Sequence, residues 1–226
     1  MSRFLLRRLG WMILTIWVVY TVSFFLMRVV PGGPFDSEKV VAEAIKRNIE
    51  ARYQLDRPLV EQYFTHLWHT VQLDFGPSYK LEDYTVNEVL AQGFPISASL
   101  GIFAMVFAIT LGVTAGLVSA VARDSFYDFS FMVMATLGIA VPNFVLASLA
   151  IVLLVFNWQI FPAAGWGELR QVVLPALCLG APFAGYIARL TRTGMLEVLG
   201  LDYIRTAYAK GLSHQRVVLR HGLRGA

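Results

Sequence analysis

Four long apolar runs, whose interiors contain no charged side chain, constrain this 226-residue chain more than any other feature. They lie near 9–29, 98–120, 131–156 and 172–190. Each is close to the roughly 20 apolar residues that a helix needs to cross the hydrocarbon of a membrane. Only helices and closed barrels satisfy every backbone polar group in lipid, and a chain with so few runs cannot close a barrel. The sequence therefore predicts an all-α fold, a polytopic membrane helical bundle with four spans.

The composition of the chain agrees with this class. Only 15% of the residues are charged and 57% are hydrophobic. Soluble domains carry about 25% charged residues, so the balance argues against a disordered chain, a nucleic-acid-binding module and an ordinary globular enzyme. The single cysteine, Cys178, lies inside the fourth apolar run and cannot form an internal disulfide. We interpret it as a packing residue rather than a metal ligand.

The distribution of Lys and Arg predicts the orientation of the spans, because positively charged loops tend to stay in the cytoplasm. With a cytoplasmic N-terminus, the short outer loop near 157–170 contains only Arg170 and Glu168 as charged residues, and the long segment 31–94 faces outside. Topology thereby explains the excess of cations, and we expect no nucleic-acid partner. The cations on the inner side are Arg3, Arg7, Arg8, Arg123, Arg189, Arg192, Arg205, Lys210, Arg216, Arg220 and Arg224.

The extracytoplasmic segment 31–94 contains patterns that are typical of folded helices. Apolar residues recur at helical spacing over 41–53, and a second helix is predicted after Asp56, a possible N-cap, with Pro58 near its first turn. The run Thr-Val-Asn-Glu at 85–88 fits a capping box that begins the approach to the second span. We expect these helices to pack against the spans; lying on the membrane surface or covering the mouth of a pathway is the alternative. The apolar face predicted for the second helix comprises Leu59, Tyr63, Phe64, Leu67, Trp68 and Val71.

The sequence lacks the motifs of common catalytic sites. No Gly-x-x-x-x-Gly-Lys-Ser/Thr occurs, so the backbone cradle of a P-loop is absent and we expect this chain not to hydrolyse ATP. The spacing of His66 and His69 could allow a shared metal ion, but without a nearby cysteine a solvated helix face is the better interpretation. We therefore expect no metal and no cofactor on this chain. Asp and Glu do not occur in the interiors of the four runs, which argues against a proton relay.

Neutral polar residues within the runs are candidates for lining a translocation pathway. Asn143 directly follows Pro142, so a proline that removes a backbone hydrogen bond stands beside an amide that can donate and accept at mid-membrane. The alternative is helix packing, in which hydroxyls hydrogen-bond between helices and small residues such as Gly112, Gly116 and Gly138 allow close approach. The candidate pathway residues are Thr136, Pro142, Asn143, Ser148 and Tyr186.

Two short helices are predicted after the fourth run. Residues 202–210 form the first, which ends at Gly211, a residue that can adopt the left-handed conformation of a helix C-terminus. Ser213 can cap the second. Such a pair of helices is suited to bind another protein, and a basic helix that rests on anionic lipid headgroups is the alternative. In the second helix Arg216, Arg220 and Arg224 form one stripe, and Leu219 and Leu223 form another.

The region 202–213 also carries a family resemblance. Its sequence, Asp-Tyr-Ile-Arg-Thr-Ala-Tyr-Ala-Lys-Gly-Leu-Ser, resembles the cytoplasmic EAA loop of binding-protein-dependent ABC importer permeases, in the form found in the dipeptide and oligopeptide subfamily. The general pattern Glu-Ala-Ala-x-x-x-Gly is met here as Arg-Thr-Ala at 205–207 before Gly211, which removes the glutamate as a charged anchor. Further segments similar to the family lie at 4–8, 28–35, 74–78 and 142–144, so the resemblance covers essentially the whole chain.

The resemblance implies which residues contact the partner ATPases. By resemblance, an ATPase-coupling loop occupies 194–226. Its implied residues are Tyr203, Arg205, Thr206, Ala207, Ala209, Lys210, Gly211, Arg216 and Arg220.

The resemblance further implies a permease of the bacterial cytoplasmic (inner) membrane that translocates oligopeptides or dipeptides by alternating access. The family has six spans, so the last two are expected to be missing from these 226 residues. The implied partners are a homologous second permease subunit, two ABC ATPase subunits that bind ATP and Mg, an extracytoplasmic peptide-binding protein and membrane lipid. Two alternatives stay open, namely a nickel or glutathione importer permease of the same family and a non-transporting membrane receptor or scaffold.

Overall fold

The computed structural model describes residues 1–29, 57–78, 81 and 83–226. Two compact units divide the chain, Met1–Gly93 and Phe94–Ala226. Throughout the described residues regular secondary structure is helical, apart from an isolated antiparallel bridge between Pro77 and Thr85. The predicted all-α class is therefore confirmed.

The helices range from long apolar rods to short turns near the end of the chain. In chain order the helices are α1 (Ser2–Val29), α2 (Leu59–Val71), α3 (Val86–Val121), α4 (Phe126–Ala140), α5 (Asn143–Asn157), α6 (Leu169–Leu199), α7 (Asp202–Ala209) and α8 (214–225). The last seven residues of α5 are π-helical, and α8 is made of His214–Arg216, the π-helical Val217–Gly222 and Leu223–Gly225.

Three helices within the described residues are long and apolar enough to cross a membrane. They are α1 over Arg3–Arg28, α3 and α6, and they contain the predicted spans at 98–120 and 172–190 and all but the last residue of the one at 9–29. Helix α6 continues to Leu199, so the first residues of the predicted loop 194–226 are helical. The chain is a multi-pass membrane protein.

The run 131–156, predicted as one span, consists of two helices. Helices α4 and α5 meet at an angle of 111°. Pro142 is the N-cap of α5, and Val141 before it is extended, with φ −82° and ψ 124°. A residue that precedes proline is disfavoured in the helical region because of the proline Cδ, so α4 has to end there. The bent pair is either one broken span or a re-entrant segment.

In the first unit, α2 packs against the C-terminal part of α1 through an aromatic cluster. The Tyr63 ring lies 5.3 Å from the Phe24 ring and 5.7 Å from the Phe25 ring, between centroids. The Tyr63 hydroxyl is also 2.8 Å from the Thr21 hydroxyl, and the Arg28 Nε donates to Gln62 Oε1 at 3.0 Å. The predicted packing of this helix against a span is therefore confirmed.

The buried face of α2 agrees with the predicted apolar face only in part. Tyr63 of that face is buried, and so is Gln62, which was not predicted. Four other residues of the predicted face are exposed, namely Leu59, Phe64, Trp68 and Val71. The contact with α1 decides which side is covered, and apolar spacing alone does not show where that contact falls. The helix predicted over 41–53 and the N-cap Asp56 lie outside the described residues.

The predicted capping box at the start of α3 is confirmed. Glu88 Oε2 accepts a hydrogen bond from the Thr85 backbone N–H at 2.7 Å, and the Thr85 hydroxyl accepts one from the Glu88 N–H at 3.2 Å. These reciprocal bonds satisfy two backbone donors that a helix N-terminus otherwise leaves free.

The second unit is built on close contacts between α3, α4 and α6. A Cβ placed on Gly112 would lie 2.7 Å from Ile187 Cβ, and one on Gly138 would lie 3.0 Å from the Ala181 carbonyl oxygen. The glycines predicted to allow close helix approach therefore have that role. Cys178 is buried beside Val155 and Leu174, as expected of a packing residue.

Candidate functional site

Helix α7 and helix α8 form a compact terminal knob, residues 202–225, which contains the residues singled out by the family resemblance. On α7, Ile204 and Ala207 are buried, with 1% and 7% exposure. Ala207 is therefore a packing residue, and it does not belong to the exposed part of the predicted set. The exposed residues of that set on α7 and just after it are Tyr203, Arg205, Thr206, Ala209, Lys210 and Gly211.

The end of α7 has the geometry predicted for it. Gly211 has φ +80°, in the left-handed region that favours glycine. The Leu212 N–H donates to the Ala207 carbonyl at 3.3 Å and the Gly211 N–H to the Tyr208 carbonyl at 2.9 Å, which is the bonding of a Schellman motif. Leu212 then packs against the buried cluster that includes Ala207 and Val217. The turn is therefore fixed by backbone bonds and by an apolar contact together.

The second helix of the knob differs in detail from the prediction. Ser213 is its N-cap, but the serine side chain makes no capping hydrogen bond; the Ser213 carbonyl accepts from the Val217 N–H at 3.0 Å. Leu223 packs inward, whereas Leu219 is 55% exposed, so the predicted leucine stripe is wrong. The π-helical stretch accounts for this, because its wider turns shift residues four apart off a common face. Arg216, Arg220 and Arg224 are all exposed.

The knob is joined to the spans by its buried face. Met195 of α6 is completely buried in a cluster with Ala120 of α3 and Val218 of α8. A Cβ on Gly222 would meet the Met195 Cε at 3.0 Å, so the two helices are in direct contact. A second cluster joins Val198 of α6 to Ile204 of α7. Consequently the knob is packed firmly on the ends of α3 and α6, and its cationic side stays exposed.

A hydrogen bond also connects the two helices of the knob across the Gly211 turn. The Tyr208 hydroxyl lies 2.8 Å from His214 Nδ1. The two rings are stacked, with centroids 6.1 Å apart. The contact bridges the last turn of α7 and the first residue of α8, so it helps to set the angle between them.

The predicted pathway residues lie on exposed surfaces of this chain. The Thr136 hydroxyl donates to the Met132 carbonyl at 2.8 Å, and the Ser148 hydroxyl donates to the Phe144 carbonyl at 2.7 Å. Both hydroxyls are therefore bonded within their own helices. The other three predicted residues, Pro142, Asn143 and Tyr186, are exposed, the first two at the junction of α4 and α5.

A cavity of about 370 Å³ lies between α3, α4, α5 and α6, and it is almost entirely apolar. Residues on its wall include Phe107, Leu111, Met134, Leu146 and Leu177. None of the predicted pathway residues lines it, and its surface offers little to bind a polar substrate.

Histidines of α2 were considered as metal ligands from the sequence. His69 Nδ1 lies 3.1 Å from an Asp74 carboxylate oxygen, on the exposed side of the helix. The pKa of His66 is lowered from its ordinary value, mainly because burial disfavours the charged ring and also because Arg28 lies nearby. The structure places these two histidines in different surroundings, His66 half-buried and His69 paired with a carboxylate.

A buried ion pair in the second unit was not foreseen from the sequence. Asp128, on the first turn of α4, is 4% exposed, and Arg192 of α6 donates to both of its carboxylate oxygens at 2.7 Å. In the sequence analysis Arg192 was assigned to the cations on the inner side of the membrane. The only local signal was Ser125 three residues before Asp128, which fits a helix N-cap; the Asp128 N–H does donate to the Ser125 hydroxyl at 3.3 Å.

Known membrane transport proteins are similar to this chain over its whole length. A family described as "Binding-protein-dependent transport system inner membrane component" matches residues 108–226. The whole chain is 45% identical to the dipeptide transport system permease protein DppB of Bacillus subtilis (strain 168) and covers 73% of it. The whole chain is also 41% identical to the oligopeptide transport system permease protein OppB of Salmonella typhimurium (strain LT2), covering 74%. DppB of Lactococcus lactis subsp. cremoris (strain MG1363) is 36% identical over the whole chain, which covers 74% of that relative.

Proposed function

Because the chain belongs to the family of binding-protein-dependent transport system inner membrane components, we propose that it is the permease subunit of an ABC importer that carries peptides across the membrane. The observation that carries this proposal is the similarity over the whole chain to relatives named for dipeptide and oligopeptide transport. The proposed substrates are short peptides.

The terminal knob is the proposed docking element for the partner ATPases. Its exposed side presents Arg205, Lys210, Arg216 and Arg220, while its other side is packed on α3 and α6. A force applied to the exposed side is therefore passed to two spans through close-packed side chains, which resist compression. ATP and Mg bind to the partner subunits, and closure of the ATPase dimer moves the knob.

The proposed pathway is completed by a second, homologous permease subunit. The junction at Pro142 and Asn143 is exposed on this chain, and its polar groups suit a peptide backbone that offers both donors and acceptors. In the proposed mechanism the two subunits alternate between an outward-open and an inward-open arrangement. An extracytoplasmic binding protein delivers the peptide, with the N-terminus of this chain in the cytoplasm.

The proposal is tested by transport in a reconstituted complex. The chain is purified with its second permease and two ATPases, placed in liposomes, and supplied with the binding protein and a labelled peptide. We expect accumulation of peptide that requires ATP and the binding protein. Accumulation of nickel or glutathione instead of peptides would assign a different substrate class, and ATP hydrolysis without uptake of any of these solutes would contradict transport.

A further inference from the structure

The buried pair of Asp128 and Arg192 is a site that the proposed docking and pathway residues do not include. Arg192 approaches through Nε and Nη2, each 2.7 Å from a different carboxylate oxygen. Two further donors reach the same carboxylate, the Ser119 hydroxyl and, at 3.0 Å, the backbone N–H of Asp124. The two-point contact fixes the relative angle of the two groups as well as their distance.

This carboxylate joins three helices, the consecutive α3 and α4 and the more distant α6. Ser119 lies near the end of α3, Asp128 on the first turn of α4, and Arg192 in α6, 64 residues further along the chain. Asp124, in the connection between α3 and α4, has φ +60°, so its N–H is held in an unfavourable backbone conformation by the same site. The beginning of α4 is therefore tied to α6 and α3 at a single point.

The position of Arg192 on α6 connects the pair to the terminal knob. Met195, whose side chain contacts α8, lies one helical turn after Arg192. Over this turn α6 also lies close to α3, because a Cβ on Gly116 would be 2.7 Å from Thr191 Cβ. The part of α6 that binds Asp128 is therefore adjacent to the part that contacts the knob.

Stability alone is a weak explanation for such a pair. Removing two charges from water costs free energy that their attraction often only balances, so packed apolar residues can serve the bundle equally well. What the apolar alternative lacks is the directional, two-point contact. Helix α4 leads from Asp128 to the bend at Pro142, so the pair holds one end of an element whose other end is the proposed pathway.

We propose that Asp128 and Arg192 are positioning residues that transmit movement of the knob from α6 to α4 and so to the α4–α5 bend. This inference rests on the proposed transport function. The pair touches neither peptide nor ATPase; it keeps α4 moving together with α6. Without it, the packing between α4 and α6 remains, but the beginning of α4 follows α6 less closely.

The test compares transport with ATP hydrolysis in the reconstituted complex. The principal variant is the double substitution Asp128→Asn/Arg192→Gln, which keeps hydrogen-bonding groups and leaves no unpaired charge. Arg192→Lys keeps the charge but loses the two-point contact. Arg189→Gln, which removes an exposed cation from the same helix, is the matched control.

We expect the double variant to assemble with the ATPases and hydrolyse ATP like the wild type, while the peptide imported per ATP falls at least about fivefold, the lower end of typical coupling effects. For Arg192→Lys the peptide imported per ATP should lie between the values of the wild type and the double variant. For Arg189→Gln it should equal the wild-type value. An unchanged ratio of imported peptide to hydrolysed ATP in the double variant would overturn the inference. This holds if peptide uptake and ATP hydrolysis both stay normal, and also if both fall in proportion to the amount of folded complex. If the double variant does not fold, Arg192→Lys decides the matter by the same ratio.

A distance measurement separates coupling from a purely structural role. Spin labels replace the exposed residues Leu219 on the knob and Phe144 on α5, one site at a time, each with a reference label on a partner ATPase. In the wild type, ATP should change both distances. In the double variant the change at the knob label should persist, and the change at the α5 label should be smaller than in the wild type. A change at the α5 label as large as in the wild type would refute transmission through the pair. Failure of the proposed function is distinct, because the wild-type complex would then import no peptide.

Discussion

The knob and the α4–α5 bend are the two regions of this chain that carry its proposed function, and they are built in opposite ways. The knob is held together by contacts within this chain. They are the backbone bonds around Gly211, the burial of Met195 and Ile204, and the contact of Tyr208 with His214. At the bend, Pro142 and Asn143 are exposed, and Asn143 makes no side-chain hydrogen bond with another described residue.

This difference shows which of the two regions has its full set of stabilising contacts within one chain. The knob is a preformed element with one packed side and one exposed cationic side, so a partner can bind it without first ordering it. The bend exposes a polar side chain between two apolar helices, an arrangement that is costly in lipid unless the groups are covered or hydrated. We therefore expect substitutions to act on folding or docking at the first region and on transport at the second.

The largest effect is expected where α3 and α6 touch beneath the knob. In Gly116→Ala the new Cβ would collide with the Ala188 carbonyl oxygen and lie 2.7 Å from Thr191 Cβ, so the helices must separate. Overpacking of this kind costs about 1–3 kcal/mol, and we expect a marked loss of folded protein. The measurement is membrane abundance and thermal stability in detergent. Gly101→Ala, with open space around its Cβ, is the matched control and should behave like the wild type.

The next effect concerns the turn of the knob itself. In Gly211→Val, a β-branched side chain is forced to φ +80° in open space, so the cost of roughly 1–2 kcal/mol is conformational and not steric crowding. We expect the angle between α7 and α8 to change, Arg216 and Arg220 to be misplaced, and ATPase co-purification and peptide uptake to fall at near-normal membrane levels. Gly211→Ala should be milder, and Gly211→Asn, which tolerates this conformation, should be close to wild type. Normal association of the valine variant would disprove the docking role.

A smaller effect is expected at the bend. Asn143→Ala removes an exposed amide without opening a cavity, so the abundance of the protein should not change. If that amide bonds the peptide, uptake should fall about two- to tenfold, equivalent to one hydrogen bond. The rate of labelled-peptide uptake measures this. Ser148→Ala is the control. The Ser148 hydroxyl already donates to the Phe144 carbonyl, so its removal should lower peptide uptake less than Asn143→Ala does.

The smallest effect is expected at the bridge across the knob. Tyr208→Phe keeps the ring that stacks on His214 and removes the 2.8 Å hydrogen bond. Because both groups are exposed, we expect the hydrogen bond to contribute free energy at the low end of about 0.5–1.5 kcal/mol. Its removal should therefore weaken ATPase binding only slightly. Tyr127→Phe, at an exposed tyrosine of α4, controls for the substitution itself. A variant that binds the ATPases more tightly would show that the bridge holds the knob away from its docking angle.

Local patterns in the sequence predicted local structure well. The Thr85 and Glu88 capping box and the left-handed Gly211 depend only on residues within a few positions, and both were found. The apolar runs predicted the spans for the same reason, since lipid requires helices of that length wherever they occur. The run 131–156 was the exception, because it was predicted as one span and consists of two helices that meet at a bend. Pro142, the cause of that bend, can be read from the sequence.

Residues that depend on distant partners were not predictable in this way. Ala207 was assigned to the ATPase-coupling loop by resemblance, and the structure shows that α6 and α8 bury it. Leu219 was placed on one stripe with Leu223, yet a π-helical stretch turns it outward. Arg192 was counted among the cations of the inner side, and its pairing with Asp128 was not foreseen. For Ala207 and for this ion pair, the missing information was which surface of another helix lies opposite.

The sequence by itself determined that this protein is a helical membrane protein with a basic knob after its fourth apolar run, because hydrocarbon and backbone hydrogen bonding leave a charge-free run of that length no other structure. Only the tertiary structure decided which side of the knob is free, where α4 turns away at 111°, and that Asp128 is bound by Arg192. The physical reason is the distance along the sequence over which each interaction acts. Burial in lipid and the conformation of a turn act on each segment separately, whereas glycine contacts and a two-point ion pair exist only after helices remote in sequence have packed together.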